Sequence, residues 1–185
     1  MSEVSPALRT AILELLPHLR AFARSLCSNA SRADDLVQET LVKAWSNPDK
    51  FEAGTNLRAW LFTILRNTYY SEMRKQRREV EDAEGVYAAR LTVLPRQFDH
   101  LSLQEFRRAL TQLNAQQREA LILTGASGFS CEEAAAICGC APGTIKSRVS
   151  RARARLAGLM AIDEQSDLGP DAVMAAARES NAVMG

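Results

Sequence analysis

Residues 130–156 read SCEEAAAICGCAPGTIKSRVSRARARL, and their pattern is that of two short helices joined by a tight turn. Ser130 followed by Glu133 forms a capping box, in which each side chain satisfies a backbone N–H at a helix start. Gly139 can take the positive φ that ends such a helix. A second helix is expected from near Pro142, because Ile145, Val149, Ala152 and Leu156 recur at spacings of four, three and four, which is one apolar stripe. That second helix carries Lys146, Arg148, Arg151, Arg153 and Arg155 and no acid. A helix so charged repels itself, and phosphate is the partner that most directly offsets its field. A basic face is in many proteins only a solvated one, but the helix-turn-helix frame favours duplex DNA. Gly143, Lys146, Ser147 and Ser150 then point toward a major groove, with Thr144, Arg148 and Arg151 toward flanking phosphates.

The chain has 185 residues, 46% hydrophobic and 24% charged, which is an ordinary globular composition and fits two small helical domains. Its net charge is only +1, yet the charges are segregated. Between Asn56 and Val80, six cations (Arg58, Arg66, Arg74, Lys75, Arg77 and Arg78) face two acids; between Ser31 and Thr55, five acids outnumber three cations. One surface is therefore expected to be basic and another acidic. No apolar run is long enough to cross a bilayer, and MSEVSPALRT lacks the build of a secretory signal, so a cytoplasmic protein is expected. Cys27, Cys131, Cys138 and Cys140 match no zinc ribbon or redox motif, and only Cys138 with Cys140 leaves a metal-binding alternative.

Upstream, residues 6–28 show a helical stripe of Leu8, Ile12, Leu15, Leu16, Leu19, Phe22, Ala23 and Leu26, with a break expected at Pro17. A second helix is expected to open at Ser31, with Asp34 in its first turn. It buries Leu36, Val37, Thr40, Leu41, Ala44 and Trp45, leaving Asp35, Gln38 and Glu39 on a polar face that is either solvated or a docking surface. After Asn47-Pro48-Asp49 and a short loop from Phe51 to Thr55, Leu57, Trp60, Leu61, Ile64 and Leu65 resume the helical period. Asn67-Thr68-Tyr69-Tyr70 is expected to interrupt or bend this helix, because Asn and β-branched Thr are poor helix formers. Aromatics beside the cations of Ser71 to Glu79 suit stacking on unpaired bases with phosphate neutralised around them, although either tyrosine could equally be core.

Residues 81–101 read as a linker with sticky points at Leu91, Val93, Leu94 and Phe98. Ser102 with Glu105 is a second capping box, for a helix burying Leu103, Phe106, Leu110 and Leu113. Asn114 caps the next helix, through Thr124, and Gly125 and Gly128 lead into the helix-turn-helix, which completes a four-helix second domain over 102–160. The tail, 161–185, is Ala-rich and too short for a stable helix alone. There is no glycine-rich phosphate loop and no catalytic constellation; His18 and His100 belong to no triad or metal motif.

The order DDLVQETLVKAW, NLRAWLFTILRN, MRKQRRE, a linker, then QREALILT with GFSCEEAAAICGCAPGTIKSRVSRARARL resembles the extracytoplasmic-function (ECF) sigma factors of bacterial RNA polymerase. TNLRAWLFTILRNTYYSEMRKQRREVED and ALILTGASGFSCEEAAAICGCAPGTIKSRV are similar to that family's general stress response group. The resemblance implies an all-α, two-domain protein, with region 2 over 6–80 and region 4 over 102–160. It implies that Asp35, Gln38 and Glu39 bind the clamp of the polymerase largest subunit, and that region 4 meets the beta flap. It places minus 10 recognition and melting on Arg58, Trp60, Asn67, Thr68, Tyr69, Tyr70, Arg74, Lys75, Arg77 and Arg78, with a flipped base held in a loop at Asn67 to Tyr70. Minus 35 recognition falls on Gly143, Thr144, Lys146, Ser147, Arg148, Ser150 and Arg151. Ser150 is small where some ECF members carry an aromatic residue. The implied partners are core polymerase, promoter DNA and an anti-sigma factor, with no membrane and no cofactor, the free protein being a monomer and not an enzyme. Two rivals are a sigma-like mimic that binds only the anti-sigma factor, and a regulator that binds only duplex DNA. The mimic does not need the basic MRKQRRE or the basic second helix. The duplex regulator leaves the acidic helix unexplained.

Overall fold

Ser5 Oγ accepts a hydrogen bond from the Leu8 N–H at 3.2 Å and opens α1 (Pro6–Glu14) in a computed structural model that describes residues 5–27, 29–82 and 101–160. The expected break comes at Leu15, and α2 (Leu16–Leu26) has Pro17 in its first turn, where a missing N–H costs nothing. Helix α3 (Ala30–Ser46) starts one residue before the expected Ser31. Its cap is Asn29, whose Oδ1 accepts from the Ser31 N–H at 2.8 Å, so Asp34 lies beyond the first turn. Asn and Ser cap about equally well, and the residue whose backbone is extended takes the role; here that is Asn29.

A 3₁₀ turn (Pro48–Lys50) and a loop with Gly54 at φ 90° lead to Asn56, whose Oδ1 accepts from the Ala59 N–H at 3.0 Å at the start of α4 (Leu57–Asp82). Helix α4 runs 26 residues without interruption, through Asn67-Thr68-Tyr69-Tyr70. The expected bend is absent because Thr68 and Tyr69 are buried, and tertiary packing outweighs a few tenths of a kcal/mol (~0.5) of poor propensity per residue. In this first unit Ile12, Leu19, Phe22, Leu36, Leu61, Phe62 and Leu65 are shut off from solvent, and the Phe22 and Phe62 rings stack with centroids 4.8 Å apart.

The packing divides the chain into two units, Met1–Leu94 and Pro95–Gly185. In the second, α5 (Leu101–Thr111) already includes Ser102, so the capping box expected there does not mark the helix start. Asn114 Oδ1 accepts from the Gln117 N–H at 2.9 Å and caps α6 (Ala115–Leu121), as expected. The chain then widens into a π turn (Ile122–Ala126) instead of continuing as α-helix to Thr124. Helix α7 (Cys131–Cys138) has the Ser130/Glu133 capping box at its start and Gly139, at φ 64°, at its end. Helix α8 (Pro142–Leu159) follows. Ile145, Val149, Ala152 and Leu156 are all buried, as their spacing predicts, with Leu113, Leu121, Leu123 and Ile137 completing the core. Glu119 is enclosed in it too. Leu91, Val93, Leu94, Phe98, His100 and the tail beyond Met160 lie outside the described residues.

Candidate nucleic-acid interface

Burying one stripe of α8 fixes what the rest of that helix presents. Gly143, Lys146, Ser150 and Arg151 are exposed, while Thr144, Ser147 and Arg148 are half-buried. The Ser147 hydroxyl donates back to the Thr144 carbonyl at 2.9 Å, and Arg148 is held by its own unit: Nη2 donates to Gln116 Oε1 at 3.0 Å and Nη1 to Cys140 Sγ at 3.8 Å. The seven residues expected on DNA therefore form two groups. Gly143, Lys146, Ser150 and Arg151 face outward, and Thr144, Ser147 and Arg148 are half-buried, with Arg148 bracing the turn. Glu132, at the exposed start of α7, has its carboxyl held below the ordinary value by its own backbone N–H and by the Ser130 hydroxyl.

In the first unit, Asp35, Gln38 and Glu39 are exposed on α3, and Val42, one turn further, is 58% exposed. Spacings of three and four place all four on one strip. Lys43 Nζ lies 2.6 Å from Glu39 Oε1 and donates to Thr68 Oγ1 at 2.9 Å, so α3 and α4 are joined beside that strip.

The residues expected at the minus 10 element do not converge. Trp60 and Tyr70 are ten residues apart on one continuous helix, about 15 Å along its axis. At the first end, the Trp60 ring lies 5.3 Å from Phe51 at 44° and the Arg58 guanidinium stands 5.5 Å over Phe62. His18, exposed on α2, has its pKa lowered by partial burial and then by the Arg58 charge. At the other end, the Arg66 guanidinium lies 4.7 Å over the Tyr70 ring, and Tyr69 meets Tyr70 edge-on at 5.2 Å. Thr68 at 2% and Tyr69 at 8% exposure are core, so the alternative left open for the tyrosines divides between them, and the expected loop at Asn67 to Tyr70 is helix. Asn67 is exposed and Tyr70 half-exposed. Arg74, Lys75, Arg77 and Arg78 are exposed in the last turns, with Arg74 donating to Ser71 Oγ at 3.0 Å.

Sequence reasoning missed Phe51, Arg66, Gln116 and Val42. A signal existed for Phe51: it opens a short glycine-containing loop just before an aromatic-rich helix, and residues 52–56 are all exposed. Among the described residues no group of three or more His, Cys, Asp or Glu is placed to hold a metal ion, and no helix is long and apolar enough to cross a membrane. Cys27 is buried, and burial pushes its thiol pKa up to about 11.

Comparison with known proteins agrees with this division. Residues 11–79 match the family Sigma-70 region 2, and residues 103–156 match Sigma-70, region 4. The chain is 61% identical over 168 residues to the ECF RNA polymerase sigma factor EcfG of Rhodopseudomonas palustris (strain TIE-1), covering 91% of this chain and 93% of that protein. Among solved structures it resembles the sigma factor RpoE in complex with the anti-sigma factor NepR from Bartonella quintana, with TM-score 0.79 and 58% identity, covering 86% of this chain and all of that one. Its likeness to the anti-anti-sigma factor PhyR of Bartonella quintana, at 18% identity, TM-score 0.54, 95% of this chain and 60% of that one, is one of fold alone.

Two helical units, one ending in a cationic helix and one in a helix-turn-helix, thus define a transcription initiation factor. The chain belongs to the ECF group of the sigma-70 family of RNA polymerase sigma factors. Within that group its high identity is with EcfG and with the NepR-bound RpoE.

Proposed function

We propose that this sigma factor directs core RNA polymerase to the promoters of a general stress regulon, melts the minus 10 element and is held inactive by an anti-sigma factor. The observation that carries the reading is the outward face of α8: Gly143, Lys146, Ser150 and Arg151 stand exposed on an acid-free helix whose opposite stripe is buried. A protein that only mimicked a sigma factor toward its inhibitor has no use for that face.

Residues 6–80 act as region 2, 81–101 as the linker, 102–160 as region 4, and 161–185 as a tail of no assigned role. Asp35, Gln38 and Glu39, with Val42 beside them, form the docking strip for the polymerase clamp, and region 4 meets the beta flap. At the minus 10 element the exposed loop 52–56, with Phe51, Arg58 and Trp60 behind it, takes the part of the base-capturing loop that the resemblance assigned to Asn67 to Tyr70. Asn67 and Tyr70 line the strand further on, and Arg74, Lys75, Arg77 and Arg78 neutralise its backbone; Thr68 and Tyr69 hold the helix in place. Capturing an already unstacked base is the economical route, since stacking is worth about 1.4 kcal/mol per step. At the minus 35 element Gly143, Lys146, Ser147 and Ser150 read the groove and Thr144, Arg148 and Arg151 sit at phosphates. The protein performs no chemistry of its own and works in the cytoplasm, where core polymerase is.

The inhibitor is of the NepR kind, because a relative 58% identical is a sigma factor in complex with NepR. Transcription by purified core polymerase on a promoter library, with and without this protein, tests the reading. Initiation at sites sharing a minus 35 and minus 10 pair supports it. No initiation, with tight binding to the anti-sigma factor, overturns it in favour of the mimic.

A further inference from the structure

Glu39 does not stand alone on the docking strip. On one side Lys43 Nζ lies 2.6 Å from its Oε1. Across the seam, Glu72 of α4 is near enough for each carboxyl to shift the other's titration, and Glu72 in turn lies 3.7 Å from the Arg32 guanidinium, which also donates to Met73 Sδ at 3.6 Å. The Lys43 ammonium has a fixed anchor, because it donates at 2.9 Å to Thr68 Oγ1, and Thr68 is buried inside α4. Two carboxyl groups from different helices thus meet between two cations, and of those cations only Lys43 touches Glu39.

We propose that Lys43 is a positioning residue for polymerase binding: from its anchor on Thr68 it holds the Glu39 carboxylate in one rotamer, with the second oxygen left for a cationic side chain of the partner. The inference rests on the docking role given to Glu39 above. A carboxylate has two oxygens and about four lone-pair sites, so Lys43 on Oε1 does not use up its acceptor capacity. Without Lys43, Glu39 would face Glu72 with no cation of its own, since Arg32 pairs with Glu72 and not with Glu39, and it would swing away. The titration directions agree with the geometry. Glu39 is held below the ordinary carboxylate value, first by the Lys43 hydrogen bond; Glu72 is held above it, by burial and then by Glu39. Of the two carboxyls, Glu39 is therefore the one that loses its proton first as pH rises. Lys43 also restrains the Glu39 side chain before binding, so less freedom is lost when the partner arrives.

A double-mutant cycle tests this in the full-length protein. Lys43→Met keeps the aliphatic stem and removes the cation; Glu39→Gln removes the charge with little change of shape. Affinity for purified core polymerase and melting temperature are measured for both variants, the double variant and Lys43→Arg. Lys43→Met is expected to weaken binding by about three- to fivefold, the range of a half-exposed ion pair. The double variant should be no weaker than Glu39→Gln alone, and Lys43→Arg should restore binding to within about twofold of the natural protein, since a guanidinium can bridge the same two oxygens. Losses that multiply independently, or a Lys43→Met loss that follows the melting temperature and is not restored by arginine, would overturn the inference while leaving the docking face intact. Unchanged binding by Glu39→Gln would remove the docking role of Glu39 and this inference with it.

Discussion

Arg148 of α8 donates from Nη2 to Gln116 Oε1 of α6 across 3.0 Å, so a cation of the second helix of the helix-turn-helix is tied to the helix that precedes the motif. The bond holds α8 at one rotation relative to its own unit and pre-orders an arginine whose free side chain would otherwise lose rotamer entropy on meeting a phosphate. Gln116→Ala is therefore expected to weaken minus 35 duplex binding by about two- to threefold, the value of one net hydrogen bond. Arg148→Ala should weaken it more, and the double variant no more than Arg148→Ala. Fluorescence anisotropy on a minus 35 duplex reads this directly, and equal effects on a scrambled duplex are expected because the contact proposed for Arg148 is to backbone.

Lys146 is exposed on α8 at the flank of the buried Ile145–Val149 stripe, and no hydrogen bond of its side chain is seen among the described residues of its own unit. Lys146→Ala should lower affinity for the specific promoter by about tenfold while leaving core polymerase binding unchanged. A polymerase pull-down that failed equally for this variant would contradict the assignment. The melting temperature should stay within about 2 °C of the natural protein, as for most surface substitutions.

Glu39→Lys reverses the charge at the centre of the strip and places a third cation beside Lys43 and Arg32. Holoenzyme formation should fall by at least about tenfold. Native gel shift with core polymerase measures it, with minus 35 duplex binding by the free protein as the unaffected control.

The two adjacent tyrosines should behave differently. Tyr69 is 8% exposed, so Tyr69→Ala opens a cavity and should cost about 3 kcal/mol of stability. Tyr70 is half-exposed under the Arg66 guanidinium, so Tyr70→Ala should cost about 1 kcal/mol. Its larger effect should be on open-complex formation at the minus 10 element, followed by permanganate reactivity of unpaired thymines. A Tyr70 variant that melts promoters normally would remove this residue from the strand path.

The carboxyl pair also predicts a pH dependence. Glu72 has a raised folded-state pKa, so the fold prefers its protonated form, and its contribution to stability declines as pH rises through the ordinary carboxylate value toward the raised one. Glu39, held low, contributes in the opposite sense: its share is present above the ordinary value and is lost as pH falls through the lowered one. Glu72→Gln removes the first effect, while Glu39 keeps Lys43, the largest cause of its lowering. Its urea midpoint should therefore gain on the natural protein as pH is raised from about 4 to 7. A gain that stayed constant across that window would show that Glu72 does not titrate as placed.

The helix-turn-helix was legible residue by residue, since its signals are local: a capping box at Ser130 and Glu133, a left-handed Gly139, and an apolar stripe from Ile145 to Leu156. Each depends on contacts no more than one helical turn away. The break before Pro17 and the Asn114 cap were legible for the same reason. The Ser31 start was misplaced by one residue because Asn29 and Ser31 are both good capping residues lying close together, and only the backbone conformation selects between them.

What the sequence alone determined was the class of fold, two helical units, and the segregation of its charge, because hydrophobic period and charge position along a helix are one-dimensional properties. The course of α4 through Asn67 to Tyr70 was decided by the tertiary structure: weak local propensity gave way to the burial of Thr68 and Tyr69, whose neighbours come from elsewhere in the chain. So were the enclosure of Glu119, the hold of Gln116 on Arg148 and the anchoring of Lys43 on Thr68. Each joins groups many residues apart, and no pattern of spacing encodes which distant side chain will be there to meet them.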